Sequence, residues 1–113
     1  MSISYHKTLN EILEIISTDI RIIFISFKAK WCVPCKKIEP FITELSNSEL
    51  SEYVNFYSID IDNSKDAVEY FNISSVPTFM IYMNGEKKGE ITGTEKKDIT
   101  DLLEKVMKEY NQK

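Results

Sequence analysis

The chain has 113 residues and a formal net charge of −4, with 42% hydrophobic and 28% charged residues. This composition is that of an ordinary globular domain and excludes a disordered or collagen-like chain. Only two cysteines are present, which excludes a disulfide-dense secreted scaffold. The acidic balance provides no general basic field for nucleic acid. Residues 1–113 are expected to form a single domain, since this length is close to the commonest domain size.

The charges are unevenly distributed along the chain. Residues 28–37 contain four lysines and no acid, whereas residues 44–70 contain seven acids and a single lysine. Two interpretations stay open: these segments form ordinary solvated faces, or the lysines form a positive rim around the cysteines.

No targeting or membrane segment is expected. The first ten residues lack a charged start followed by an apolar run, which argues against a secretory signal. The most apolar stretch, residues 20–27, is interrupted by Arg21 and is too short to cross a membrane. We therefore expect a soluble, cytoplasmic protein. In that compartment a C-x-x-C pair is more typical of catalysis or metal binding than of a structural disulfide.

The predicted elements alternate between helix and strand. Apolar spacing predicts helices over residues 9–16, 38–45, 67–71 and 99–110, and strands over residues 3–6, 22–27, 54–61, 79–83 and 90–92. Thr8 and Glu11 form a capping-box pattern before the first helix, and Pro40 is expected to kink the second. Asn84-Gly85 predicts a hairpin, which adds antiparallel pairing to a parallel portion. The predicted fold class is α/β, a central mixed β-sheet flanked by helices on both faces.

The two cysteines, Cys32 and Cys35, lie between a predicted buried strand and an amphipathic helix. A helix start exposes unpaired N–H groups and the positive end of the helix dipole, so the pKa of Cys32 is expected to lie below about 8.5. Pro34 suits the first helical turn. One turn separates the two sulfurs, and we expect Cys32 to be exposed and Cys35 more buried. This pattern predicts dithiol exchange, in which Cys32 attacks a disulfide and Cys35 resolves the mixed disulfide.

Two other interpretations of the pair are open. A tetrahedral zinc site needs four ligands, and the chain offers two cysteines and one distant histidine, His6. We therefore predict no metal site and place His6 at the surface. The second alternative is a structurally inert pair.

Over nearly its whole length the sequence resembles the thioredoxins. The motif that carries the resemblance reads Trp31-Cys32-Val33-Pro34-Cys35-Lys36, and the family usually has glycine where Val33 stands. Further matches are Phe27, Ala29, Pro40, the segment Val76-Pro77-Thr78, Gly85 and Gly93. The resemblance implies a thioredoxin fold.

The resemblance also implies a substrate groove. Pro77 is expected to follow a cis peptide bond and to face the cysteines, with the Val76 backbone offered to a substrate chain. The implied groove residues are Trp31, Val33, Pro34, Val76, Pro77 and Gly93. From the residues alone, Trp31 could equally cover the site by packing, and Pro77 could mark a loop–strand boundary.

The sequence departs from the family pattern at several positions. Thioredoxins usually have a buried aspartate where Ser26 stands and a lysine where Ser58 stands, and that aspartate helps to move a proton at the resolving thiol. Because a serine hydroxyl is a poor general base near pH 7, we expect slower resolution by Cys35. Val33 is expected to shift the redox potential, and Lys28, where an aromatic residue is common, adds positive charge.

The implied function is that of a thiol–disulfide oxidoreductase that reduces protein disulfides without a bound cofactor. The redox-active disulfide would be recharged by NADPH through a thioredoxin reductase. One alternative is a glutaredoxin, against which Trp31 and Lys36 argue. Another is a disulfide oxidase or isomerase module, which a signal peptide or tandem domains would favour. A third is a docking subunit with little turnover, to which the loss of the buried aspartate and lysine gives weight.

Overall fold

Five strands and four helices make up the described part of the chain. The computed structural model describes residues 3–4 and 7–112. The strands are β1 (Ile3–Ser4), β2 (Ile22–Lys28), β3 (Val54–Asp60), β4 (Thr78–Met83) and β5 (Glu86–Thr92). The helices are α1 (Leu9–Thr18), α2 (Val33–Ser46), α3 (Lys65–Phe71) and α4 (Lys96–Asn111), with a short 3₁₀ helix at Glu49–Glu52.

The strands form one mixed sheet in the order β1-β3-β2-β4-β5. The β1–β3 and β2–β3 pairs are parallel, whereas β2–β4 and β4–β5 are antiparallel. Asn84 and Gly85 connect β4 to β5 with φ angles of 54° and 81°. Two consecutive positive φ angles fit the type I′ hairpin turn, which the Asn-Gly sequence favours. The predicted mixed sheet is confirmed.

The helices cover both faces of the sheet, as predicted. On β2, Ile22 and Phe24 pack in one hydrophobic cluster with residues of α2 and α4. Ile23, Ile25 and Phe27 pack in a second cluster with residues of α1 and α3. Because successive side chains of a strand point to opposite faces, the all-apolar sequence of β2 follows from its position between two helical layers.

The structure corrects one predicted boundary, because β5 begins at Glu86 rather than at residue 90. The second helix begins at Val33, so Pro34 lies in its first turn, as predicted. The first half of β5 is polar and has no alternation of apolar and polar residues, so the sequence does not predict a strand there. The rest of the predicted strand over residues 3–6 and the surface placement of His6 lie outside the described residues.

The local signals in α1 and α2 explain how these helices begin. Thr8 N–H donates to Glu11 Oε1 at 2.9 Å and Glu11 N–H donates to Thr8 Oγ1 at 3.2 Å, which confirms the capping box. Hydrogen bonds from the Thr8 backbone N–H and the Thr8 side chain hold the pKa of the Glu11 carboxyl below its usual range. Pro40 lies inside α2, and the kink expected there stays a prediction. Within the described ranges, every helix is too short or too polar to cross a membrane.

Candidate active site

The cysteine pair lies where the chain leaves the sheet and enters α2. Cys32 is the N-cap residue of this helix, and Cys35 N–H donates to Cys32 Sγ at 3.1 Å. The two residues form a disulfide, with their Cα atoms 5.2 Å apart. The helical turn therefore brings the sulfurs together, as the spacing predicts. A backbone donor directed at Cys32 Sγ also provides a partner for a thiolate on that sulfur.

The burial of the pair differs from the prediction. The sequence predicts an exposed Cys32 and a more buried Cys35, but each residue is only 3% exposed. Cys32 packs in a small cluster with Ala29 and Cys35, against which Val76 also packs. Residues before the helix, within it and in the distant loop of Val76 therefore cover Cys32. The contact with Val76 is a tertiary contact that the local motif does not predict.

The segment that precedes β4 faces the disulfide. The Val76–Pro77 peptide bond is cis, and Cys32 Sγ lies 3.7 Å from the Val76 carbonyl oxygen. Gly93 N–H donates to the Pro77 carbonyl at 3.0 Å. The φ angle of Gly93 is 112°, a conformation that favours glycine. The cis bond that the resemblance implies is present, and Pro77 lines a small cavity that Cys35 also borders.

Two large apolar side chains are exposed beside the buried cysteines. Trp31 is 64% exposed and Val33 is 58% exposed, and Pro34 is also exposed. Trp31 therefore does not act as a packed cover over the site. These exposed side chains flank Cys32 in the chain and form an apolar surface beside it.

Ser26 and Ser58 lie behind Cys35. They are direct partners in the β2–β3 register and are 8% and 3% exposed. Both line a cavity of about 20 Å³ that Cys35 and Pro77 also border. The two positions are therefore next to the resolving sulfur, as the resemblance implies, but they supply hydroxyl groups rather than a carboxylate and an ammonium.

A wider cleft of about 480 Å³ also borders Cys35. Two acids in its wall, Glu39 and Asp60, are not among the site residues predicted from the sequence. Glu39 follows Cys35 by four residues, which places both on one helix face. Asp60 is the last residue of β3 and lies opposite Lys28 in the β2–β3 register. An acidic residue at the end of a predicted strand could have indicated this position. In residues 3–4 and 7–112, no group of three or more histidine, cysteine or acidic side chains could hold a metal.

The lysines near the site divide into two groups. Lys28 pairs with Glu39 at 3.3 Å. Lys30, Lys36 and Lys37 are exposed, and no carboxylate in the described part of the chain forms an ion pair with them. Exposed lysines without ion pairs fit both a solvated face and a positive rim, so both interpretations stay open. We define the positive rim as Lys30, Lys36 and Lys37.

The fold and the site define a thiol–disulfide oxidoreductase that works through one cysteine pair at a helix start. The thioredoxin family model matches residues 4–108. Thioredoxin from Ophiophagus hannah is 35% identical over 89 residues, which cover 77% of this chain and 81% of that protein. The chain belongs to the thioredoxin family.

Solved thioredoxin structures show the same fold. Thioredoxin from Trypanosoma brucei brucei superposes with a TM-score of 0.87 at 26% identity, covering 95% of this chain and 92% of that one. Plasmodium falciparum thioredoxin gives a TM-score of 0.80 at 32% identity, covering 93% and 98%. The predicted thioredoxin fold is therefore confirmed, and so is the thiol–disulfide oxidoreductase activity that the family and the cysteine pair support.

Replacing Ser26 with aspartate is expected to accelerate resolution by Cys35. The new carboxylate would line the cavity that borders Cys35 and could accept its proton, which in general acid–base catalysis is worth about 10²-fold or more. We expect a smaller gain of roughly tenfold, because position 26 is buried and aspartate is larger than the serine that it replaces. Stopped-flow measurement of mixed-disulfide resolution near pH 7 tests this.

The matched control is Ser26→Asn, which has nearly the volume of aspartate but cannot accept the proton in the same way. It should leave the rate of resolution close to that of the unmodified protein. Equal rates in Ser26→Asp and Ser26→Asn would show that proton transfer at this position does not limit the step.

Proposed function

We propose that this protein reduces disulfides of protein substrates and that NADPH, through a thioredoxin reductase, returns the Cys32–Cys35 disulfide to the dithiol. The observation that carries the proposal is the geometry around Cys32. Its sulfur accepts a hydrogen bond from Cys35 N–H on the helix side, and it faces the Val76 carbonyl on the other. A sulfur held between a helix start and the backbone of the loop before β4 suits attack on a disulfide in an extended chain.

The proposed cycle has two exchange steps. In the first, the Cys32 thiolate attacks a substrate disulfide, a new sulfur–sulfur bond forms to Cys32, and one substrate sulfur leaves as a thiolate. In the second, Cys35 loses its proton and attacks Cys32, which releases the other substrate sulfur. Two electrons pass to the substrate, and the protein is left with the Cys32–Cys35 disulfide seen in the structure.

The surface beside Cys32 supports a polypeptide substrate. The exposed side chains of Trp31 and Val33 provide an apolar surface, and the loop of Val76 and Pro77 provides backbone groups, held in place by Gly93. Two lysines of the positive rim, Lys30 and Lys36, line the cleft that Cys35 borders. We propose that the rim favours substrates with acidic residues near the disulfide.

A coupled assay tests the proposal. The protein is mixed with NADPH, a thioredoxin reductase and insulin, and NADPH oxidation and insulin reduction are followed together. We expect sustained turnover that is lost in Cys32→Ser. Turnover with glutathione and glutathione reductase, and none with thioredoxin reductase, would support a glutaredoxin instead. Turnover with neither system would favour a docking subunit.

We also propose a cytoplasmic location. The cycle needs a compartment in which thiols are kept reduced, and the cytoplasm is such a compartment. Fractionation of source cells with acid quenching and thiol alkylation should find the protein in the cytoplasmic fraction, with most Cys32 and Cys35 reduced. Recovery from an oxidising compartment, with the pair as a disulfide, would contradict this proposal.

A further inference from the structure

The second exchange step needs a proton acceptor for Cys35. Cys35 is 3% exposed, so its thiol has little direct contact with bulk water and a nearby base would assist the loss of its proton. The neighbouring positions on the sheet, Ser26 and Ser58, carry hydroxyl groups, which are poor bases near neutral pH. An acceptor should therefore lie elsewhere along the cavities that border Cys35.

Two cavities border Cys35, and the same ion pair lines both. Lys28 at the end of β2 and Glu39 in α2 are in the walls of the cleft of about 480 Å³ and of the smaller cavity of about 20 Å³. The smaller cavity, which Ser26 and Ser58 also line, has room for one water molecule with polar partners. Glu39 is therefore the carboxylate that lies on both routes to Cys35.

The placement of Glu39 follows from its helix and its partner. Glu39 lies four residues after Cys35, and residues at this spacing are neighbours on one helix face. Its Oε2 accepts a hydrogen bond from Lys28 Nζ at 3.3 Å. Its Oε1 accepts none from any residue within the described ranges, so one oxygen is available. Lys28 thus fixes the carboxylate near the cavity, and its positive charge also attracts a thiolate on Cys35.

The other charged groups near Cys35 fit the role less well. Asp60 lines only the larger cleft, and its two oxygens already accept hydrogen bonds from Asp62 N–H and Asn63 Nδ2. Lys30 and Lys36 complete the charged wall of that cleft and, as ammonium groups, have no lone pair to accept a proton.

We propose that Glu39 accepts the Cys35 proton during resolution, through a water molecule in the small cavity. Glu39 would thus take the role of the buried aspartate that thioredoxins usually have where this chain has Ser26. The proton leaves Cys35 Sγ and reaches the Glu39 carboxylate. The Cys35 thiolate forms the bond to Cys32 Sγ, the bond from Cys32 to the substrate sulfur breaks, and that sulfur leaves as a thiolate. Glu39 then returns the proton to solvent. This inference concerns the exchange step and does not depend on which reductant recharges the pair.

The test is a two-phase reaction of the reduced protein with dithiobis-nitrobenzoate. Attack by Cys32 releases the first coloured thiol, and attack by Cys35 releases the second, so stopped-flow absorbance separates the two steps. Glu39→Gln should slow the second phase about tenfold near pH 7 and leave the first phase within about twofold. Glu44→Gln, which removes an exposed carboxylate from the same helix, is the matched control and should change neither phase.

The pH profile separates proton transfer from a structural role. In Glu39→Gln, the second phase should rise more steeply with pH than in the unmodified protein, because hydroxide then replaces the carboxylate as the base. Glu39→Asp should recover part of the lost rate, and Ser26→Asp placed in the Glu39→Gln background should recover most of it. A second phase unchanged by Glu39→Gln, or slowed equally at every pH, would overturn the proposal. So would equal slowing in Glu44→Gln.

Discussion

Replacing Cys35 with serine is expected to stop the reaction at the mixed disulfide. Cys32 keeps its place at the N-cap and the N–H donor of residue 35, so the first attack on a substrate continues. No intramolecular thiol is then available to resolve the product. Well-oriented intramolecular groups act at effective concentrations of about 10⁵ M or more, which an external thiol cannot match. Turnover should fall by roughly a thousandfold at least.

The coupled assay and non-reducing electrophoresis measure the two parts of this result. NADPH oxidation should be close to background, while one equivalent of substrate is held covalently and is released by dithiothreitol. The matched variant is Cys32→Ser, which should lose turnover without holding any substrate. Covalent capture by Cys32→Ser, with none by Cys35→Ser, would exchange the roles that we assign to the two residues.

The order of elements and the cysteine site could be predicted from the sequence because their causes are local. The Thr8–Glu11 capping box, the apolar run of β2 and the Asn84-Gly85 turn each depend on residues close together in the chain. The motif around Cys32 and the Val76-Pro77 segment could likewise be predicted as parts of the site, because both match the family pattern.

The features that could not be predicted depend on contacts between distant residues. The burial of Cys32 comes from packing against Ala29 and against Val76, which is separated from it by 44 positions. The Lys28–Glu39 pair joins the end of β2 to the second turn of α2, and spacing alone does not show that both line cavities beside Cys35. The polar first half of β5 is a strand because β4 supplies its hydrogen bonds, whereas its own residues resemble a loop.

Replacing Phe24 with alanine is expected to lower the free energy of unfolding by about 3–5 kcal/mol. Phe24 is 1% exposed, and its ring lies 5.0 Å from the ring of Phe56 and 5.6 Å from that of Phe79, measured between centroids. The substitution removes this ring from the cluster between the sheet and helices α2 and α4. Since small domains have about 5–15 kcal/mol in total, the loss is large. Urea unfolding should show a lower midpoint with an unchanged slope.

Tyr70→Ala is the matched control, because Tyr70 is 61% exposed and makes an edge contact with the Phe71 ring at 4.9 Å. Its loss should cost about 1 kcal/mol or less. Phe24 belongs to a different cluster from Cys32 and Cys35, so both phases of disulfide exchange should be nearly unchanged in Phe24→Ala at a temperature where it is folded. If the two variants lost equal free energy of unfolding, the contacts of Phe24 with Phe56 and Phe79 would not contribute the stability that we assign to them. If exchange slowed with stability, the site would depend on the packing beneath β2 as well as on its own helix turn and facing loop.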